Sequence, residues 1–149
     1  ANSQTTLINE INNGRYVVNY SGHGTATTWA TLDFFGTPTV ASLTNANTQS
    51  IFTMLTCLNG YFINPYADSL AESLLKAQNG GSVAAWASTG KTTPDIQLVM
   101  GTRFYTQLGV GNLTRLGDLV RDAKSVIPGG RDVRFSWALF GDPMLKVRP

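Results

Sequence analysis

Apolar positions along the chain switch between a helical period and an extended one, and the switches mark out the elements. Leu7, Ile8 and Ile11 fall on one helical face, so residues 3–13 read as a short helix with Gly14 as its C-terminal stop. Residues 16–20, Tyr-Val-Val-Asn-Tyr, form a β-rich run that gives way to Ser21-Gly22, a strand entering a loop. Residues 25–49 show no sustained period and many Thr and Asn, and read as a mostly irregular cover. Residues 51–56 are almost continuously apolar, the pattern of a strand buried on both faces of a parallel sheet.

Ser69 and Glu72 have capping-box spacing, so a helix is expected from there to about Gln78, ended by Asn79-Gly80-Gly81. Residues 82–87 are a third strand. Thr93-Pro94 opens a helix whose apolar face carries Ile96, Val99, Met100, Phe104 and Leu108, with Gly109 as its stop. Leu116, Leu119, Val120, Ala123 and Val126 trace another helix, ended by Pro128-Gly129-Gly130. Gly141-Asp142-Pro143 is a turn before a short strand at 144–147. Strands alternating with helices give an α/β domain: a mainly parallel sheet with 16–20, 51–56 and 82–87 side by side and helices on both faces. All 149 residues read as one domain.

Composition narrows the function. Only 13% of residues are charged, about half the usual share, and the net charge of +2 is scattered. Nucleic-acid binding needs clustered cations to neutralise several phosphates at once, so it is not expected. No apolar stretch approaches the ~20 residues of a membrane helix, and no membrane span is expected. One cysteine and one histidine supply neither a disulfide framework nor a four-ligand zinc site, so no metal and no cofactor are expected. Low charge with many Thr, Asn and Ser suits an extracytoplasmic protein.

Those two residues, His23 and Cys57, occupy matching places, each just past the C-terminal end of a buried strand. In open α/β sheets that edge is where ligands and catalysis collect. A thiolate is a nucleophile and an imidazole its natural base or proton donor. The glycines flanking His23 let backbone N–H groups approach a substrate carbonyl. The plainer alternatives are a buried thiol acting as a small hydrophobe and a histidine serving a turn.

Tyr20-Ser21-Gly22-His23-Gly24, Trp29-Ala30 and Thr56-Cys57-Leu58-Asn59-Gly60-Tyr61-Phe62 resemble the peptidase C25 family, the gingipain-like cysteine peptidases related to caspases. Ser69-Leu70-Ala71-Glu72, residues 80–87 and Leu139-Phe140-Gly141-Asp142-Pro143 extend the resemblance over nearly the whole chain, with His and Cys 34 residues apart. The resemblance implies a partial caspase-like sandwich and cysteine endopeptidase chemistry on protein or peptide substrates. In it His23 and Cys57 form the dyad, and the amides of Gly24 and Cys57 the oxyanion hole. Trp86 either walls the primary specificity pocket or is a plain core residue. It also implies a bacterial, secreted or cell-surface protein. A transpeptidase acting in secretion and a non-catalytic surface or structural domain of the same fold are the alternatives.

Family catalytic domains carry further strands before the histidine strand, so this chain reads as the C-terminal part of a larger catalytic domain. The edge beside residues 16–20 is then expected to be apolar on its flanks and covered by the upstream part of the parent polypeptide or by a homodimer mate. The isolated chain is expected to be inactive or nearly so. Residues 85–92 approach a phosphate-binding loop, but Ala85 replaces its first glycine and Thr93-Pro94 starts the helix after the Lys-Thr pair. No G-x-S-x-G elbow is present. Asp118 and Asp122 among Arg115, Arg121 and Lys124 read as a solvated helix face.

Overall fold

The computed structural model describes residues 2–30 and 34–147. In chain order its elements are α1 (Ser3–Asn12), β1 (Val17–Ser21), β2 (Thr28–Trp29), β3 (Phe35–Gly36), α2 (Thr37–Val40), β4 (Ser50–Leu55) and α3 (Leu70–Lys76). Then come β5 (Ser82–Ser88), α4 (Pro94–Val110), α5 (Leu116–Ser125), α6 (Arg131–Ser136) and β6 (Trp137–Gly141). The main sheet runs β1-β4-β5-β6, with β1, β4 and β5 parallel and β6 antiparallel to β5; β2 and β3 form a separate small hairpin.

β4 is buried at every position because it has a strand on each side and helices on each face. Its side chains alternate between two cores, as the pleat requires. Ile51 and Leu55 pack with Ala84, Trp86, Phe104, Leu116 and Leu119 on the α4–α5 side. Phe52 and Met54 pack with Ile11, Trp29, Phe35, Leu70 and Leu74 on the other. Burying each of those four β4 side chains contributes roughly 1.5–3 kcal/mol. Asn2 caps α1 by accepting the Gln4 N–H at 3.2 Å, and the capping box of α3 forms: Glu72 Oε2 accepts the Ser69 N–H at 2.9 Å and Ser69 Oγ the Glu72 N–H at 3.4 Å.

Segment 25–49 does act as a cover. Trp29, Phe35, Val40 and Leu43 are buried on the sheet, and the Trp29 ring stacks on Tyr20 at 4.6 Å between centroids. Four expectations need correction. The last strand is β6, not 144–147; the apolar run from Trp137 to Phe140 pairs with residues 85–88 of β5, and Lys146 makes only an isolated bridge to Arg115. α4 passes through Gly109 and ends at Gly111, whose φ of 80° supplies the left-handed cap that a C-terminus favours. Pro128-Gly129-Gly130 ends α5 but also starts α6. β1 is an edge strand, paired only with β4 among the described residues, and its Asn19 and Ser21 are exposed rather than apolar.

Candidate active site

The parallel register of β1 and β4 ends at Ser21 opposite Leu55, and the Gly22 N–H continues the ladder to the Leu55 carbonyl at 3.3 Å. His23 and Cys57 each follow that last pair by two residues. With parallel strands about 4.8 Å apart, both residues lie at the same stretch of sheet edge. The two turns touch just beyond: a Cβ added to Gly24 would lie 2.5 Å from Thr56 Oγ1. Close approach, not backbone freedom, is what requires glycine here.

The turn after β4 is sharply bent. Leu58 takes a φ of 62°, a left-handed conformation unusual for leucine and retained where surrounding bonds impose it. Those bonds are the Leu58 N–H to the Gly90 carbonyl at 3.1 Å, the Gly60 N–H to Ser88 at 2.9 Å and the Ala71 N–H to Asn59 at 3.0 Å. Cys57 is half-buried. Its Sγ accepts the Thr92 N–H at 3.4 Å and lies 3.5 Å from the Thr92 carbonyl. Thr92 immediately precedes the cap of the 17-residue helix α4. The sulfur is thus held by both main-chain groups of Thr92, the N–H donating to it and the carbonyl accepting from its S–H.

His23 is exposed, and its imidazole makes no hydrogen bond among the described residues. Its carbonyl accepts from Tyr20 Oη and from the Ala30 N–H, each at 2.7 Å. Gly24 bridges Trp29 of β2, with the bonds carried by its neighbours: Ala30 N–H to His23, and Thr25 N–H to the Thr28 carbonyl at 3.0 Å. That pattern turns the Gly24 N–H away from β2. Neither it nor the Cys57 N–H donates to an acceptor among the described residues. Two free amides beside His23 and Cys57 are donors of the kind an oxyanion hole needs.

Comparison with known proteins matches this geometry to a family. The model of peptidase family C25 aligns with residues 1–148. The chain belongs to that family. Gingipain R2 and gingipain R1 of Porphyromonas gingivalis are each 30% identical to it over 156 aligned residues, 95% of this chain. The crystal structure of the Arg specific cysteine proteinase gingipain R superposes with a TM-score of 0.89 at 29% identity over 97% of this chain. A complex of Porphyromonas gingivalis RgpB pro- and mature domains gives 0.87 at 28% identity. The C25 chain spans 21% of gingipain R2, 15% of that gingipain R1 and 36% of the crystallised gingipain R chain.

Trp86 does not stand at this site. Its indole is fully buried in the α4–α5 core, 5.2 Å from the Phe104 ring and 6.0 Å from that of Trp137, so the plain core role replaces the expected pocket wall. A cavity of about 480 Å³ lies instead between β1 and α4, bordered by Ser21, Leu55, Pro94, Gln97, Gly101 and Tyr105. It opens from residues two before His23 and Cys57, and none of its described lining residues carries a charge. Tyr105 bonds Thr53, which donates to Asn19 Oδ1 at 3.0 Å, and burial pushes the Tyr105 phenol above its usual range. A larger cavity of about 620 Å³ sits against β6 and α5, includes neither His23 nor Cys57, and belongs to the other edge of the sheet.

Sequence patterning missed Thr92, the cavity residues and the side chain of Asn59, whose amide donates to the Thr25 and Thr28 carbonyls. Asn59 had a signal: a polar residue between Leu58 and Gly60 in a turn that follows a largely apolar strand. Thr92 had none, because its part is played by backbone atoms.

Proposed function

We propose that this C25 chain performs cysteine endopeptidase chemistry with Cys57 as nucleophile and His23 as its proton partner. The observation that carries the reading is the shared ladder end of β1 and β4, which brings the chain's only His and only Cys to one edge with free amides beside them. Sγ attacks the scissile carbonyl carbon while its proton passes to His23. The negative oxygen is held by the N–H groups of Gly24 and Cys57. The C–N bond then breaks, and His23 gives its proton to the departing amine. Water, deprotonated by His23, cleaves the thioester and frees the acid, and the proton returns to sulfur. The cavity at Gln97 and Tyr105 receives the substrate side chain next to the cut bond.

The chain covers a minor part of its relatives, and β1 pairs only with β4 among the described residues. The upstream part of the parent polypeptide therefore lies beside β1, and the isolated chain is inactive or nearly so. The low charge and the bacterial relatives support a secreted or cell-surface place. The decisive experiment uses the parent polypeptide, iodoacetamide and a mixed fluorogenic peptide library. Cys57 alkylates much faster than a buried thiol, His23→Ala slows that labelling, and Cys57→Ala abolishes cleavage. Equal labelling with and without His23 sinks the dyad. Release of peptides joined to an added amine, in place of free acids, converts the reading to transpeptidation.

A further inference from the structure

Asn59 joins the two turns through its side chain. It is fully buried, and its Nδ2 donates to the Thr25 carbonyl at 2.6 Å and to the Thr28 carbonyl at 3.2 Å. Its backbone belongs to the nucleophile turn, with its N–H on the Cys57 carbonyl at 2.8 Å and its own carbonyl accepting from Ala71. One residue thus holds Cys57 through its main chain and the hairpin after His23 through its amide. Thr28 is the residue whose carbonyl takes the Thr25 N–H, and that oxygen lies 3.0 Å from where a Cβ of Gly24 would be.

The other ties between the turns are longer or indirect: the Leu70 N–H donates to the Ala26 carbonyl at 2.8 Å, but from α3 rather than from the Cys57 turn. The last ladder bond, from Gly22 to Leu55, is 3.3 Å long. Packing of Gly24 on Thr56 limits how closely the turns approach, but only a bond limits how far they drift apart. Asn59 is also kept at a cost: its Oδ1 is buried with no partner among the described residues. An apolar side chain would fill the space without an orphaned acceptor. What it would lack is two donors at fixed places.

We propose that Asn59 is a positioning residue for the peptidase reaction: its amide holds the His23 hairpin, and with it the Gly24 N–H, in register with Cys57. This rests on the dyad reading. The test uses the parent polypeptide, with kcat expressed per site titrated by an alkylating agent so that misfolded molecules are not counted. Asn59→Ala lowers kcat per site about 10–100-fold with KM changed less than about threefold, since a displacement near 1 Å costs about 10²-fold. Asn59→Asp is isosteric but aims a carboxylate at two carbonyls. Burial raises its pKa, and the protonated form regains one donor. Its activity relative to the unmodified protein therefore rises at least about fivefold from pH 7 to pH 5.

A purely structural role lowers Tm and the number of titratable sites, leaves kcat per site unchanged and gives no recovery in acid. That result overturns the inference. Cys57→Ala separates the two claims. If it still cleaves, the dyad reading falls, and the role of Asn59 with it. If it is dead while both Asn59 variants keep full kcat per site, only the role of Asn59 falls.

Discussion

The turns that carry Cys57 and His23 end at the same level of the sheet, yet they are held in different ways. The Cys57 turn follows a central strand and is bonded to β5 through Gly90 and Ser88, to α3 through Ala71 and at the sulfur through Thr92. The His23 hairpin follows an edge strand, and its imidazole has no hydrogen-bond partner among the described residues. Its ties to the sheet and to α3 are a long ladder bond, the contact of Gly24 with Thr56, the Asn59 amide and the Leu70 N–H on Ala26 at 2.8 Å. Its far arm is anchored by the buried Trp29 and by the Thr37 N–H on Thr27 at 2.9 Å. The geometry of the Cys57 turn is built from the interior of this chain. The geometry of the His23 turn rests on fewer contacts and follows an edge strand. Perturbations on the histidine side should therefore cost activity before stability, and those on the cysteine side the reverse.

Gly24→Ala is the strongest test of that asymmetry. The new Cβ would stand 2.5 Å from Thr56 Oγ1 and 3.0 Å from the Thr28 carbonyl, so the hairpin must move outward. That displaces the His23 side chain and the Gly24 N–H together, and kcat/KM should fall about 10²-fold or more. Thr56→Ala removes the nearer obstacle, and the double variant should recover part of the loss, since contacting residues couple. Full activity in Gly24→Ala alone would mean the hairpin is not registered by this contact.

Trp86→Phe probes the cysteine side at intermediate size. Shrinking a wholly buried indole packed on Phe104 and Trp137 should destabilise by about 1–3 kcal/mol, read by denaturant unfolding. The rate of Cys57 alkylation and the ratio of kcat/KM between two peptides should stay unchanged. A change in that ratio would return Trp86 to the substrate pocket.

What could be read from sequence follows the same division. Alternation and capping chemistry are local, so β4, the capping box at Ser69 and the pairing of three parallel strands were legible. His23 and Cys57 were legible because each is the chain's only residue of its type and each follows a strand. The free amides of Gly24 and Cys57 fit the oxyanion expectation, yet only register and hairpin geometry reveal which way they point. The two readings of Trp86, pocket wall and core residue, stayed open in the sequence because a strand's pattern does not say what packs over a residue; its full burial against Phe104 and Trp137 favours the core. The choice of Gly111 over Gly109 as the end of α4 turned on a single backbone angle. Strand β6 went unread because its apolar run abuts a short helix with no break in pattern. Thr92 acts through its main chain, where residue type leaves no trace.

The smallest effect is expected at the strap between α4 and α5, where Arg103 Nε and Nη2 donate to Asp122 at 2.6 and 3.0 Å. The guanidinium holds the Asp122 carboxyl below the usual carboxylate range. A group lowered on folding stabilises above its unfolded pKa of about 3.9, and that stability is lost as pH falls through the folded value. The pair is partly exposed and screened by salt, so its contribution is small. Asp122→Asn should lower Tm slightly at pH 7, less at high salt, and the two proteins should converge in thermal scans taken below about pH 4. Arg103 lies nine residues along α4 from Pro94, about 14 Å at 1.5 Å per residue. The sulfur contact at Thr92 is held locally by the Cys57 turn, so loosening a strap that far away should leave the alkylation rate of Cys57 unaltered. A slower or faster rate in Asp122→Asn would show that the cysteine side, too, leans on distant packing, and the asymmetry between the turns would narrow.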